Sequence, residues 1–180
     1  VSMVALKAKN HKEMSLLFCR FVLPALASQL LSGVYTIVDG FFVGMGAGDS
    51  GLAAIGIAYP FTLFATAAGA GIGIGGGALL SISRGRGRER LAESILTSMV
   101  MLMVLASLLV SLSFGISLPK LIGTFNVSEE LSHLSLVYGL ILLLFSFTQI
   151  FTMGLLGAVR NDGYPRKSMY IMVSGFVLNI

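Results

Sequence analysis

The sequence predicts an all-α integral membrane protein with four complete transmembrane helices and the start of a fifth. Three observations carry that prediction. The 180-residue chain is 56% apolar and only 11% charged, whereas soluble domains are about 25% charged, so too little polar surface exists to clothe a soluble core. Its mean hydropathy is +0.92, and disordered chains are by contrast poor in apolar residues. The apolar runs are continuous over membrane-crossing lengths instead of alternating in ten-residue segments, which favours helices over a barrel.

Each span follows from the need for about 20 apolar residues to cross the hydrocarbon core. Residues 1–15 read as a cytoplasmic lead-in and 16–180 as a partial transmembrane lobe. The first span covers 21–43, the second 52–82, the third 95–118, the fourth 131–159 and the fifth 168–180. That last stretch rises only about 20 Å as a helix, against a core of roughly 30 Å. The expectation is a chain that stops inside a span.

Basic residues set the sidedness. Lys7, Lys9, Lys12 and Arg20 precede the first span; Arg84, Arg86, Arg88 and Arg90 join the second to the third; Arg160, Arg166 and Lys167 join the fourth to the fifth. The other two connections hold only Lys120, among Asp49, Glu129 and Glu130. Eleven of the 12 basic residues therefore fall on alternate loops, the positive-inside pattern of a multi-pass plasma-membrane protein with a cytoplasmic N-terminus. The same pattern accounts for the net charge of +4 and the Arg84–Arg88 run without nucleic-acid binding, since no RNA-binding motif accompanies the arginines. Ala25-Leu26-Ala27 resembles a signal-peptidase site, but Arg20 interrupts the apolar run before it and apolar sequence continues far beyond it, so an uncleaved span is expected. The lone Cys19 allows no intrachain disulfide.

Asp39 is the one ionisable residue well inside a span. A carboxylate in hydrocarbon is costly and normally faces a bundle interior or a wet cavity, which makes it a proton or cation site by default; the alternative is a buried hydrogen-bonding residue with a structural role. Ser28, Ser32, Tyr35 and Asp39 are spaced 4, 3 and 4 apart and so share one helix face. Pro24, well below Asp39 on the same helix, favours a kink, read either as a bendable gate or as a fixed bend.

Residues 68–78 form the densest glycine stretch. No strand precedes it, so the dinucleotide-fingerprint reading fails. Gly69, Gly73 and Gly77 give small-xxx-small spacing, which allows a neighbouring helix to approach closely; bending or sliding of this helix is a second possibility. Tyr138, Ser146, Gln149 and Thr152 in the fourth span read as core packing with helix–helix hydrogen bonds. His11 and His133 lack metal-ligand company, no metal site is expected, and no P-loop or nucleophile–base set marks an enzyme.

Pro24, the stretch 34–44 (VYTIVDGFFVG), Gly51-Leu52-Ala53-Ala54, the glycine run before a basic loop, and Arg160-Asn161-Asp162-Gly163-Tyr164-Pro165 followed by Asn179 resemble multidrug and toxic compound extrusion (MATE) transporters. The resemblance covers the chain from about Ser15 to its end. It implies part of the N-terminal six-helix lobe of a twelve-helix antiporter that exports organic, often cationic, drug-like compounds against inward H⁺ or Na⁺. It also implies no cofactor beyond that ion, membrane lipid as solvent, and a C-terminal lobe outside this sequence as partner. By position, the cation-coupling network would comprise Asp39, Tyr35, Tyr138 and Asn179. Two other expectations compete. A lipid-linked saccharide flippase of the same superfamily would carry more basic residues facing the cavity, and no Lys or Arg lies deep in a span here. A membrane fragment without transport is the other.

Overall fold

The computed structural model describes the backbone of residues 11–179 and the side chains of 13–178 other than Leu17. Residues 1–10 of the expected lead-in, and Ile180, lie outside the described residues. Five helical elements follow one another: α1 (His11–Gly85), α2 (Glu89–Thr124), α3 (Glu129–Leu144), α4 (Ser146–Asn161) and α5 (Pro165–Asn179). Among the described residues there is no strand, as expected where every backbone polar group must be satisfied within its own segment.

α1 is broken at one residue. Gly48 has φ 61° and ψ −157°, a conformation essentially closed to residues with a Cβ. Leu52 Cδ1 comes within 3.4 Å of where a Cβ on Gly44 would stand, yet eight residues of unbroken helix span about 12 Å. The chain therefore folds back at Gly48, and α1 is a hairpin of two arms, 11–47 and 49–85. The connection expected between the first two spans has shrunk to this residue. Asp49, Ser50 and Gly51 are already helical, and Asp49 places its carboxylate at the positive end of the second arm.

The other helices pack against that hairpin. α2 runs antiparallel to the second arm: the Met99 side chain fills the space a Cβ on Gly76 would need, and further along Phe114 meets Phe61 edge-on at 4.6 Å. One apolar cluster joins Ala58 and Phe61 of α1 to Leu118 and Ile122 of α2 and Leu143 of α3. A second joins Ala65 of α1 to Met99 and Met103 of α2 and Ile150 and Ala158 of α4. The third span was expected to end at Leu118, before Pro119; instead α2 continues through Pro119 to Thr124. Leu118 and Ile122 are both buried in the first cluster, and that packing holds the helix together across the proline.

The fourth span, expected as one helix over 131–159, is two helices meeting at Phe145 with a 48° bend. The bend is satisfied locally. Phe145 N–H reaches the carbonyls of Ile141 and Leu143, while Ser111 Oγ of α2 donates to the Leu143 carbonyl at 3.3 Å and pairs with Ser146 Oγ at 2.9 Å. α3 begins at an N-cap in which Ser128 Oγ accepts from the Leu131 N–H, with Glu129 and Glu130 in its first turn, where the helix dipole favours negative charge. α4 ends at Asn161, Gly163 just past its cap has φ 92°, and Pro165 starts α5, the usual glycine-stop and proline-start asymmetry.

Candidate functional site

Asp39 lies on the first arm of α1, nine residues before the fold-back at Gly48. The hydroxyl stripe below it is graded in burial. Ser28 is buried and donates its hydroxyl to the Pro24 carbonyl at 2.8 Å; Ser32 and Tyr35 are half-buried; Asp39 is exposed. Burial along the stripe thus falls off toward Asp39, whose carboxyl does not lie in a sealed interior. Pro24 and the Ser28 back-bond fall in one turn of α1, and each on its own bends a helix.

Two phenols accompany the carboxylate. Tyr35 is one turn before Asp39 on the same arm, and Tyr138 comes from α3; both lie within electrostatic range of Asp39, and Tyr138 also within range of Tyr35. Different packing positions them. Tyr138 leans on the Ala58–Phe61–Leu118 cluster. Tyr35 stacks on Phe176 of α5, rings 4.8 Å apart and tilted by 13°, so α5 braces the first arm. Asn179 closes α5, one helical turn beyond Phe176; its side chain lies outside the described residues. Three of the four sequence-derived positions, two on α1 and one on α3, therefore lie within electrostatic range of one another. Between them they carry one carboxyl and two phenol hydroxyls, oxygen groups of the kind that hard cations prefer. Among the described residues, no group of three His, Cys, Asp or Glu side chains could hold a metal ion.

The glycines take part in a different contact. A Cβ on Gly69 would stand 2.6 Å from the Ile150 carbonyl oxygen, one on Gly73 2.5 Å from that of Gly154, and one on Gly77 2.8 Å from Asn161 Nδ2. The three glycines thus bring the second arm of α1 backbone-to-backbone against α4, with residue numbers rising together, so the two run parallel. Polar contacts finish this seam: Gln149 Nε2 donates to Thr66 Oγ1 at 2.8 Å, Asn161 Nδ2 to the Ile74 carbonyl at 3.2 Å, and Arg84 pairs with Asp162.

Phe176, Ser111 and the Arg84–Asp162 pair were not singled out as partners from sequence. Phe176 carried no signal, being one apolar residue among many in its span. Arg84 and Asp162 each appeared in motifs but nothing in their spacing joins them.

A family model, MatE, matches residues 24–180. Solved structures share the fold. A crystal structure of MATE in complex with MaD5 superposes with a TM-score of 0.84 at 24% identity, covering 91% of this chain and 37% of that one. A MOP superfamily transporter from Pyrococcus furiosus Vc1, in which reverse polarity of the binding pocket suggests a different function, gives 0.80 at 24% identity, covering 91% and 36%. MATE in the straight conformation gives 0.83 at 23%, again covering 91% and 36%. No curated protein matches. The chain spans little more than a third of the length of the structures it matches.

Proposed function

The chain belongs to the MatE family, as part of its N-terminal lobe, and from that premise we propose that it supplies the ion-linked portion of an antiporter. The transporter exports organic, often cationic compounds and is driven by inward H⁺ or Na⁺. The observation that supports this reading is that Tyr35 of α1 and Tyr138 of α3 both lie within electrostatic range of Asp39, the one carboxyl well inside an expected span.

The mechanism follows from electrostatics. When ionised, Asp39 at the exposed end of the hydroxyl-lined face attracts a proton or Na⁺, and the neutralised pair costs less to enclose in low dielectric than the bare carboxylate. Ion binding therefore favours a packing in which this face is covered, and ion release favours one in which it is open. Tyr35 and Tyr138 supply the hydroxyls that exchange partners between the two, and Pro24 with Ser28 gives the first arm a place to bend. The ion shifts the equilibrium only by the difference in its affinity for the two packings. Substrate would rest on apolar and aromatic walls, which suit varied compounds.

The test is Asp39→Asn in the full-length transporter that contains this chain. Asparagine keeps the size and hydrogen bonding but neither ionises nor attracts a cation. Export of a cationic dye from cells should fall by roughly ten-fold or more, within the usual range of coupling energies, with membrane insertion and expression unchanged. Export at the wild-type rate removes Asp39 from the mechanism.

A further inference from the structure

A cleft of about 730 Å³ lies far from Asp39, between the start of α1 and the start of α5. Its walls are apolar: Leu23, Pro24 and Ala27 from α1, and Met169 from α5. Its rim is not. Arg20 comes from α1 and Arg166 from α5, with Glu13 as the one acidic group among the described residues that line the cleft. Arg20, Arg166 and Tyr170 are all exposed, and none of these arginines has an ion pair among the described residues, in contrast to Arg84 with Asp162.

The position narrows the occupant. Arg166 follows the Asp162–Gly163 turn, which the Arg84 pair ties to the end of α1, so the cleft opens at the basic end of the bundle. In a bilayer, an apolar groove at that end would meet acyl chains and its basic rim would meet lipid headgroups. A purely apolar groove would take any lipid. Two guanidiniums against a single carboxylate leave a net positive rim, and a fork of N–H donors from each arginine fits phosphate oxygens. Basic pockets between transmembrane helices on that side of a membrane bind anionic headgroups.

We propose that this cleft is a site for one anionic phospholipid, with its phosphate between Arg20 and Arg166 and its acyl chain along Leu23, Ala27 and Met169. A lipid here bridges the first arm of α1 to α5, the same two helices that Tyr35 and Phe176 join further along. Lipid charge would then reach the relative placement of α1 and α5. This site is independent of the transport reading, because it rests on the groove and its charge alone.

Native mass spectrometry on the full chain in mild detergent, mixed with equal phosphatidylglycerol and phosphatidylcholine, tests it. One phosphatidylglycerol should be retained in preference by roughly five-fold, the size of one net basic charge near a headgroup. Arg20→Gln with Arg166→Gln should bring the two lipids to parity, while Arg20→Lys with Arg166→Lys, which keeps the charge, should preserve most of the preference and so separates charge loss from misfolding. The remote pair Arg86→Gln with Arg88→Gln should leave the preference intact. Excess glycerol 3-phosphate should not displace the lipid. Equal retention of both lipids by the wild type, an equal loss with the remote pair, or displacement by glycerol phosphate would each overturn the site.

Discussion

Gly48 shows what a single residue decides here. Its φ of 61° and ψ of −157° are closed to side-chain-bearing residues at a cost of about 1–3 kcal/mol, and nothing lies within 4 Å of where its Cβ would be. Gly48→Ala should therefore lower the thermal unfolding midpoint in detergent through backbone strain alone. Gly46→Ala, equally open in space but in helical conformation, should be neutral or slightly stabilising; equal effects at both positions would contradict the strain argument. Asp39 was legible in the sequence because a charge in an apolar run is conspicuous. Its exposure was not, because periodicity places a residue on a face without saying which neighbour covers that face. Phe176 against Tyr35 was invisible for a related reason: two residues 141 positions apart touch only because α5 returns beside the first arm, and no local pattern encodes that return.

At the scale of elements, the glycine stripe separates into two faces. Gly69, Gly73 and Gly77 touch α4, whereas Gly71 and Gly75 have nothing within 4 Å. Gly73→Ala should force the second arm and α4 apart and cost about 1–3 kcal/mol, as overpacking does. Gly71→Ala and Gly75→Ala should be neutral or gain up to about 1 kcal/mol from helix propensity. Thermal melting of the three variants in one detergent checks this, and equal losses at 71 and 73 would contradict the assigned face. The spacing of these glycines was readable because close helix approach leaves a four-residue signature. Helix limits were less so. α2 runs through Pro119 and the fourth span bends at Phe145, because Leu118 and Ile122 packing in one case, and Ser111 and Ser146 bonding in the other, override the local breaker or its absence. Tertiary partners supplied what the local sequence did not state.

For the whole molecule, Arg20, Arg84 and Arg166, from three separate stretches of sequence, gather at one end of the bundle, as alternate basic loops would. If that end is cytoplasmic, the exposed Cys19 should react with a membrane-impermeant maleimide in inverted vesicles and not in intact cells. Labelling from outside would reverse the assigned orientation. We place the ion-linked site of the proposed antiporter on this lobe, at Asp39. The most direct measurement reconstitutes the full-length transporter in liposomes, imposes an inward H⁺ or Na⁺ gradient, and records substrate-dependent ion uptake for the wild type and Asp39→Asn. An ion site at Asp39 requires ion uptake coupled to substrate efflux in the wild type, and none in the variant despite retained substrate binding. Ion uptake of wild-type size in Asp39→Asn would contradict it.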